Sequence, residues 1–182
     1  MPDKKVVKIF VSYAHEDEKL RELLVKGLTK HLKHREIEYH FWTDNGITLG
    51  KEWRAEIEQS LKNTDVALLL VSANFAASDF INNDELPEFF KRKQADGYLI
   101  IPVLVREYNF KHFEKISALQ FFCPKYRDYG FTDLSKIDEM MPFDELVENK
   151  EVMEKHRQHY YNTLADQIDK AVRAKITQEN KK

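Results

Sequence analysis

The middle of the chain contains the run Val66-Ala67-Leu68-Leu69-Leu70-Val71, which is bounded by Asp65 and Ser72. An uninterrupted apolar run between two polar residues is typical of a short strand that is covered on both faces. Parallel strands are covered in this way because the chain must cross over the sheet between them, usually as a helix. The run therefore predicts a parallel sheet inside an α/β domain.

The segments around this run alternate between strand and helix patterns. Short β-branched runs indicate strands, and apolar residues at spacings of three and four indicate helices. In chain order, the predicted elements are strand 6–11, helix 16–34, strand 36–42, a helix marked by Trp53, Ile57 and Leu61, strand 66–71, a helical region containing Pro87, strand 98–105, and a weaker strand at 118–122. This alternation predicts helices on both faces of the sheet.

The last part of the chain has a different pattern. Apolar residues recur over about 144–177 at spacings of mainly three, four and seven, which indicates one long amphipathic helix. The preferred interpretation is that this helix closes the sheet. The alternative is a coiled linker to a sensor domain or partner. We therefore expect one domain at residues 1–140 and a C-terminal helical extension at residues 141–182.

Composition narrows the possible classes of protein. The chain has 182 residues, of which 42% are hydrophobic and 33% charged, which suits a globular protein with a full core. The net charge of −2 gives no reason to expect a nucleic acid or an anionic membrane as partner. The lone cysteine, Cys123, cannot form an internal disulfide, and no stretch suits a signal peptide or a membrane span. We expect a cytoplasmic protein.

Several common sites of α/β domains are missing from the sequence. The chain has five glycines and no phosphate-binding Gly-rich motif or Gly-x-Ser-x-Gly elbow. The central strand ends in Val71-Ser72-Ala73, without the aspartate that a phosphoacceptor domain needs. Two pairs of histidines three apart have no clear third ligand, so no metal site is expected. They are His31 with His34, and His156 with His159.

Glu85 is the main candidate among the carboxylates that remain. Pro87 is tolerated mainly in the first turn of a helix, so a helix is predicted to begin near Asn83 or Asp84. Glu85 would then lie at its N-terminus, where the helix dipole favours an anion by roughly 0.3–1 kcal/mol. An ionised glutamate suits the stabilisation of a cation, but position alone favours a simple capping role. Asp84, as an N-cap, and Glu88, one turn on, are the rivals.

Three segments together resemble the TIR domain family, especially its bacterial members. They are residues 9–17 (IFVSYAHED), residues 41–53 (FWTDNGITLGKEW) and residues 71–81 (VSANFAASDFI), the last followed by Asp84-Glu85-Leu86. The resemblance covers roughly the first 135 residues, within the usual accuracy of such boundaries. It implies a flavodoxin-like open parallel sheet of about five strands with helices on both faces, plus the long C-terminal helix.

The resemblance also implies an activity. Many TIR domains cleave NAD+ between nicotinamide and ribose, using a glutamate directly before a leucine, and Glu85-Leu86 matches that position. The departing nicotinamide leaves oxocarbenium character at the ribose, which a carboxylate can stabilise. The implied protein is an NAD+ hydrolase that makes ADP-ribose or a cyclic ADP-ribose in bacterial defence signalling, with NAD+ as substrate and no other cofactor. Asn82-Asn83 is an insertion relative to the plant-type pattern, in which an aromatic-cysteine pair precedes the glutamate.

The candidate substrate-binding residues lie in the same three segments. Flat rings can stack on adenine or nicotinamide, although Tyr13 and Phe80 can equally belong to the core. The complete set, which combines matches to the family with these rings, is Ser12, Tyr13, His15, Trp42, Asp44, Gly50, Ser78 and Phe80. Trp53 fits the core better than the site.

The resemblance implies partners as well. In TIR domains, the loop that contains Asp44 and Gly50 mediates self-association and closes over a site shared by neighbouring molecules. We therefore expect other TIR domains and a sensor protein or domain as partners, and activation on assembly. Two alternatives stay open: a scaffold that assembles without catalysis, and a nucleotide sensor that binds without cleaving.

Overall fold

A computed structural model describes residues 5–42, 59–122, 124–129, 139–149, 152 and 154–181. Within these residues, four parallel strands form one sheet: β1 (Val6–Ser12), β2 (Glu38–Trp42), β3 (Val66–Val71) and β4 (Leu99–Leu104). The helices are α1 (Glu18–Leu32), α2 (Ala73–Ala77), α3 (Leu86–Asp96), α4 (Glu114–Ser117), α5 (Phe143–Glu148) and α6 (Glu154–Glu179), and residues 59–62 are also helical. The predicted α/β class with a parallel sheet is confirmed.

The strand order is β2-β1-β3-β4. The chain moves from β1 to β2 in one direction across the sheet, and from β3 to β4 in the other. The point at which the order reverses therefore lies between the carboxyl ends of β1 and β3, where open α/β sheets bind their ligands.

The weaker fifth strand predicted at residues 118–122 is not a strand. One isolated parallel bridge joins Phe122 to Val103 beside β4. Ring contacts hold this segment instead: Phe121 stacks on Phe110 at 4.0 Å between ring centroids, and Phe122 meets Tyr160 edge to face at 5.1 Å. These contacts need no hydrogen-bonded ladder, which explains why the apolar pattern alone was misleading here.

Alternate strand residues enter two cores, one on each face of the sheet. The core on the side of α1 and α6 takes Val7, Ile9, Val11, Val66, Leu68 and Leu70 from β1 and β3. The core on the side of α2 and α3 takes Phe10, Ala67, Leu69 and Val71. By the same alternation, Ser12 faces the α3 side. Ser72, whose backbone is extended at φ −150°, continues the alternation on the α1 side.

The C-terminal part contains two helices rather than the single helix predicted over 144–177. Between α5 and α6 the chain leaves helical geometry at Asn149, where φ is −74° and ψ is 114°. The buried stripe of α6 joins the core of α1 and the sheet through Tyr160, Tyr161, Leu164, Ala165, Ile168 and Val172. The stripe therefore packs against the domain. The division into two units at residue 140 stays a prediction.

Candidate functional site

Ser12 and Glu85 form a direct contact at the point where the strand order reverses. Ser12 Oγ donates a hydrogen bond to Glu85 Oε2. Both side chains are buried, with exposed fractions of 0% for Ser12 and 6% for Glu85. Ser12 ends β1 on the face that α3 covers, so the alternation along the strand directs its hydroxyl toward Glu85.

Glu85 lies at the end of a π-helical turn, Ile81–Glu85, that runs directly into α3. As predicted, Pro87 lies in the first turn of α3 and Glu85 lies at the N-terminus of that helix. The helical backbone nevertheless begins earlier than the predicted start near Asn83 or Asp84, because it is already helical at residue 79. Ser78 Oγ accepts a hydrogen bond from the Ile81 amide at 3.4 Å and caps this earlier start. Asp84 lies inside the turn and is not the N-cap.

Pro87 gives a physical reason for the widened turn. Proline has no N–H, so Pro87 cannot complete an α-helical hydrogen bond to the carbonyl of Asn83, four residues earlier. The π turn ends at Glu85, two residues before Pro87, and changes the spacing of the ladder at this point. Single π turns of this kind are frequent at functional sites.

The side chain of Glu85 does not cap its own helix. Although Glu85 occupies the N-cap position of α3, its carboxylate makes no capping hydrogen bond to that helix. It reaches across to β1 instead and accepts from Ser12. The simple capping role is therefore not the one that this side chain performs.

Asn82, one of the inserted residues, fastens the π turn to its surroundings. Its Nδ2 donates to the carbonyl oxygens of Ala76 at 2.8 Å and Ser78 at 2.9 Å. The backbone carbonyl oxygen of Asn82 accepts a hydrogen bond from Lys115 Nζ, on α4, at 2.8 Å. Asn82 thus braces the turn that presents Glu85.

A second buried carboxylate, Asp17, lies beside this pair of strand ends. Asp17 is 0% exposed and accepts from Ser72 Oγ at 2.5 Å. Arg106 Nε donates to Asp17 Oδ1 at 2.7 Å, and Asn74 Nδ2 lies 3.5 Å from the same oxygen. Arg106 also reaches Asp144, with 3.4 Å from Nη1 to Oδ2. One arginine therefore joins the turn after β1 to the start of α5.

The charges in this cluster affect one another. The hydrogen bond to Asp17 raises the pKa of the Arg106 guanidinium, so Arg106 stays a cation. Burial raises the pKa of the Asp144 carboxyl above its usual value. The closer ion pair is the one between Arg106 and Asp17, at 2.7 Å against 3.4 Å for Arg106 and Asp144.

The two serine–carboxylate contacts are crossed. Ser12 and Asp17 both belong to the segment that leaves β1, whereas Ser72 and Glu85 both belong to the segment that follows β3. Each serine donates to the carboxylate of the other segment. The crossing follows from the alternation along the strands, because Ser12 faces α3 and Ser72 faces α1. Together the contacts connect the two segments across the reversal point.

Three other predicted substrate-binding residues, Tyr13, His15 and Trp42, differ in burial and in contacts. Tyr13 is partly buried, with the Arg21 guanidinium carbon 5.2 Å from its ring centroid. His15 is exposed in a 3₁₀ turn at His15–Asp17. Trp42 stacks on Phe10 with ring centroids 4.9 Å apart, so the core covers one face of its indole.

Ser78 and Phe80 have structural roles in addition to their predicted one. Ser78 caps the helical stretch that leads to Glu85, and Phe80 packs partly against the core on the α3 side. Asp44 and Gly50, and also Trp53, lie outside the described residues. Among the described candidates, Ser12 and Glu85 share a hydrogen bond.

Sequence reasoning did not assign a role to Asp17, Ser72 or Arg106. Asp17 and Ser72 lie within the segments that carry the family resemblance, and Arg106 is the first charged residue after the apolar run of β4. Their shared position after strand ends was a usable signal. The pairing of Asp17 with Arg106 joins residues 89 apart, and no local pattern predicts such a contact.

Other features of the described residues lie away from this site. An open cleft of about 280 Å³ is lined by Thr29, Leu32, Lys33, Glu38 and Tyr39, at the end of the sheet where β2 begins. That is the opposite end of the sheet from the carboxyl ends of the strands, where Ser12 and Glu85 meet. In the part of the chain that the structure describes, no group of three or more His, Cys, Asp or Glu residues could hold a metal ion. None of the described helices is long and apolar enough to cross a membrane.

Comparison with known proteins gives two matches. The sequence profile of the TIR domain matches residues 9–147, which include both crossed serine–carboxylate contacts. The chain is also 34% identical over 113 residues to the uncharacterized protein y4lF of Sinorhizobium fredii, a match that covers 61% of this chain and 34% of that relative. This chain thus aligns with about a third of the length of the relative. On the breadth of the profile match, the chain belongs to the TIR domain family.

Proposed function

We propose that this protein is an NAD+ hydrolase that cleaves the bond between nicotinamide and ribose, with Glu85 as its catalytic carboxylate. The observation that carries the proposal is the buried contact of Glu85 with Ser12 at the reversal point of the sheet. The TIR family includes enzymes of this kind, and open α/β sheets bind ligands at this position.

The chemistry needs a carboxylate and no general acid. When the bond from the ribose anomeric carbon to the nicotinamide nitrogen breaks, its electron pair passes to the ring, which leaves as a neutral molecule. The ribose carbon gains positive charge, and the carboxylate of Glu85 stabilises it. Water then attacks this carbon and releases a proton, which gives ADP-ribose. Attack by the adenine base instead gives a cyclic product.

Ser12 would fix the direction of the Glu85 carboxylate in this reaction. Its hydroxyl occupies one carboxylate oxygen, Oε2, and so selects one orientation of the side chain. A reaction that depends on electrostatic stabilisation benefits from such a fixed group, because no reorientation is needed when charge develops.

We assign the substrate-binding role to the residues around this carboxylate. Rings of Tyr13, Trp42 and Phe80 can stack on the adenine or nicotinamide of NAD+. Hydroxyl and imidazole groups can contact the ribose and phosphates. The complete proposed set is Ser12, Tyr13, His15, Trp42, Asp44, Gly50, Ser78 and Phe80.

Assembly is part of the proposal. TIR domains commonly self-associate, and we assign this contact to the loop around Asp44 and Gly50, which would close a site shared by neighbouring copies. Activity would then rise steeply with protein concentration. A sensor protein or domain that drives assembly would make the protein a switch in bacterial defence, producing ADP-ribose or a cyclic ADP-ribose.

A scaffold without catalysis is the second candidate. One observation favours it: Glu85 is only 6% exposed and already accepts a hydrogen bond from Ser12. A carboxylate with a purely structural role would be buried and hydrogen-bonded in the same way. In that case the protein would act only by assembling with other TIR domains.

Nicotinamide release from NAD+ distinguishes the two candidates. Wild-type protein and Glu85→Gln would be assayed at high concentration with a crowding agent, and light scattering would report assembly of both. Release by the wild type alone supports the enzyme. Assembly of both proteins without release by either supports the scaffold. Equal release by both would contradict the assignment of Glu85.

A further inference from the structure

Asp17 is the second buried carboxylate at the reversal point, and the proposed reaction does not use it. A fully buried carboxylate is costly unless it is paired and hydrogen-bonded. Asp17 has such partners from two other segments: Ser72 and Asn74 after β3, and Arg106 after β4. A group held this firmly at a candidate site needs an explanation.

Asp17 and its partners Ser72 and Arg106 join three strand ends. Asp17 closes the 3₁₀ turn after β1, with its amide donating to the Ala14 carbonyl at 2.8 Å. Ser72 directly follows β3, and Arg106 follows β4 by two residues. These contacts of Asp17 therefore connect the carboxyl ends of β1, β3 and β4.

Two routes connect Asp17 to Glu85. Along β1, Asp17 lies five residues after Ser12, within one tight turn, and Ser12 holds the Glu85 carboxylate. Along β3, Ser72 caps α2 by accepting from the Phe75 amide at 3.0 Å, and α2 leads to the helical stretch of Glu85. A shift of Asp17 would move both supports of Glu85.

We infer that Asp17 and Arg106 are positioning residues for Glu85: their ion pair holds the turn after β1 in the place where Ser12 can orient the catalytic carboxylate. This inference rests on the proposed NAD+ hydrolase activity for its kinetic consequence. Neither residue contacts the reacting atoms. They act through Ser12 and the end of α2.

The test compares Arg106→Met with Arg106→Lys, because methionine keeps the apolar stem and lysine also keeps the charge. Arg92→Met is the matched control. Arg92 is likewise a partly buried arginine, with Nη1 2.9 Å from the Thr64 carbonyl and its guanidinium carbon 3.9 Å from the Tyr98 ring centroid, but it lies at the amino end of β3 and β4. Arg92→Met should therefore lower the melting temperature without changing the turnover of folded protein.

The kinetic result expected for Arg106→Met is a fall in kcat of roughly ten- to a hundredfold, the scale of small misplacements in active sites, with KM little changed. Arg106→Lys should recover part of that loss. Adding Asp17→Asn to Arg106→Met should recover the melting temperature, because it removes an unpaired buried charge, but should not recover kcat. Recovery of kcat together with the melting temperature would overturn the inference, since the effect would then be stability alone.

Amide hydrogen exchange over residues 79–86 supplies a readout that does not need activity. Arg106→Met should speed exchange in this segment, and Arg92→Met should not. Faster exchange in Arg106→Met, with no NAD+ cleavage by the wild type or any variant, would support the positioning role and contradict the hydrolase activity. If cleavage depends on Glu85 but Arg106→Met alters neither kcat nor exchange, the hydrolase activity is supported and the positioning role is contradicted.

Discussion

The Ser12 hydroxyl donates a hydrogen bond to the carboxylate of Glu85, which lies 73 residues later in the chain. The contact joins the end of β1 to the helical stretch that covers β3, across the point where the strand order reverses. It gives the glutamate a single orientation in a buried environment.

Removing the hydroxyl tests whether Ser12 orients Glu85. Ser12→Ala should slow nicotinamide release about tenfold or more, because Glu85 loses the bond that fixes its carboxylate. The measurement is the initial rate at equal folded concentration. Thr64→Val is the control, since Thr64 is also a buried hydroxyl, bonded to Tyr98 Oη at 2.8 Å at the far end of the sheet. If both variants lose activity equally, Ser12 has no special role.

Lys115→Met tests the brace on the π turn. The change leaves the Asn82 carbonyl without the Lys115 ammonium, so the turn that presents Glu85 should loosen and nicotinamide release should fall several-fold. Lys111→Met is the control, because Lys111 is an exposed lysine in the neighbouring 3₁₀ turn at Phe110–His112. Equal rates for the two variants would show that the brace is not needed.

Gly27→Ala tests the packing of α1 on α6. A methyl group at Gly27 would lie 2.1 Å from Tyr161 Cε1, so the ring or the helices must move. Such overpacking costs about 1–3 kcal/mol, which opposes the gain of roughly 1 kcal/mol that alanine usually brings to a helix. Denaturant unfolding should show a net loss of stability.

Gly97→Ala is the matched comparison for that measurement. Gly97 has φ +68° and nothing within 4 Å of the added methyl group, so only backbone strain of about 1–2 kcal/mol applies. If Gly27→Ala is stabilising, as in an open helix, the close packing of Tyr161 against α1 is incorrect.

Asp169 on α6 should make stability depend on pH. Burial alone would raise the pKa of this carboxyl, but hydrogen bonds from Tyr39 and Arg173 outweigh burial and lower it. A folded pKa below the unfolded value, about 3.9, means that the contribution to stability is present above that value and is lost as pH falls through the folded pKa. Asp169→Asn should therefore be less stable than wild type at pH 7.

The difference in the free energy of unfolding between Asp169→Asn and wild type should become smaller as the solution is acidified below about pH 4. Denaturant midpoints across this range would measure it. Asp166→Asn is the control, because Asp166 is 62% exposed and pairs with Arg35 at the surface, where ion pairs contribute little. A difference that stays constant with pH would contradict the role of the Asp169 charge.

The sequence predicted the parts of the fold that depend on burial. The run at 66–71 is strand β3 with the same bounds. Four of the five leucines of α1 are buried as their spacing indicates, and Leu23 is partly buried. The sequence did not predict the π turn. The rule that places proline early in a helix assumes an α-helical ladder, and the turn before Pro87 changes that ladder.

The candidate site was predictable only in part, for a related reason. Topology alone puts Ser12 and Glu85 at the same edge of the sheet, because parallel strands end together. Which side chains meet there depends on the alternation along each strand, which was not applied to the serines. The pairing of Asp17 with Arg106 depends on charges that the ends of β1 and β4 bring together, and no spacing in the sequence indicates it.

The most direct test of the account compares two glutamates three residues apart. Glu85 is buried against Ser12, whereas Glu88 lies 3.6 Å from Lys91 in a surface ion pair. The measurement is the rate of nicotinamide release from NAD+ by assembled protein. The account predicts a loss of about a hundredfold or more for Glu85→Gln and a rate within about twofold of wild type for Glu88→Gln. Full activity of Glu85→Gln, or an equal loss in both variants, would contradict it.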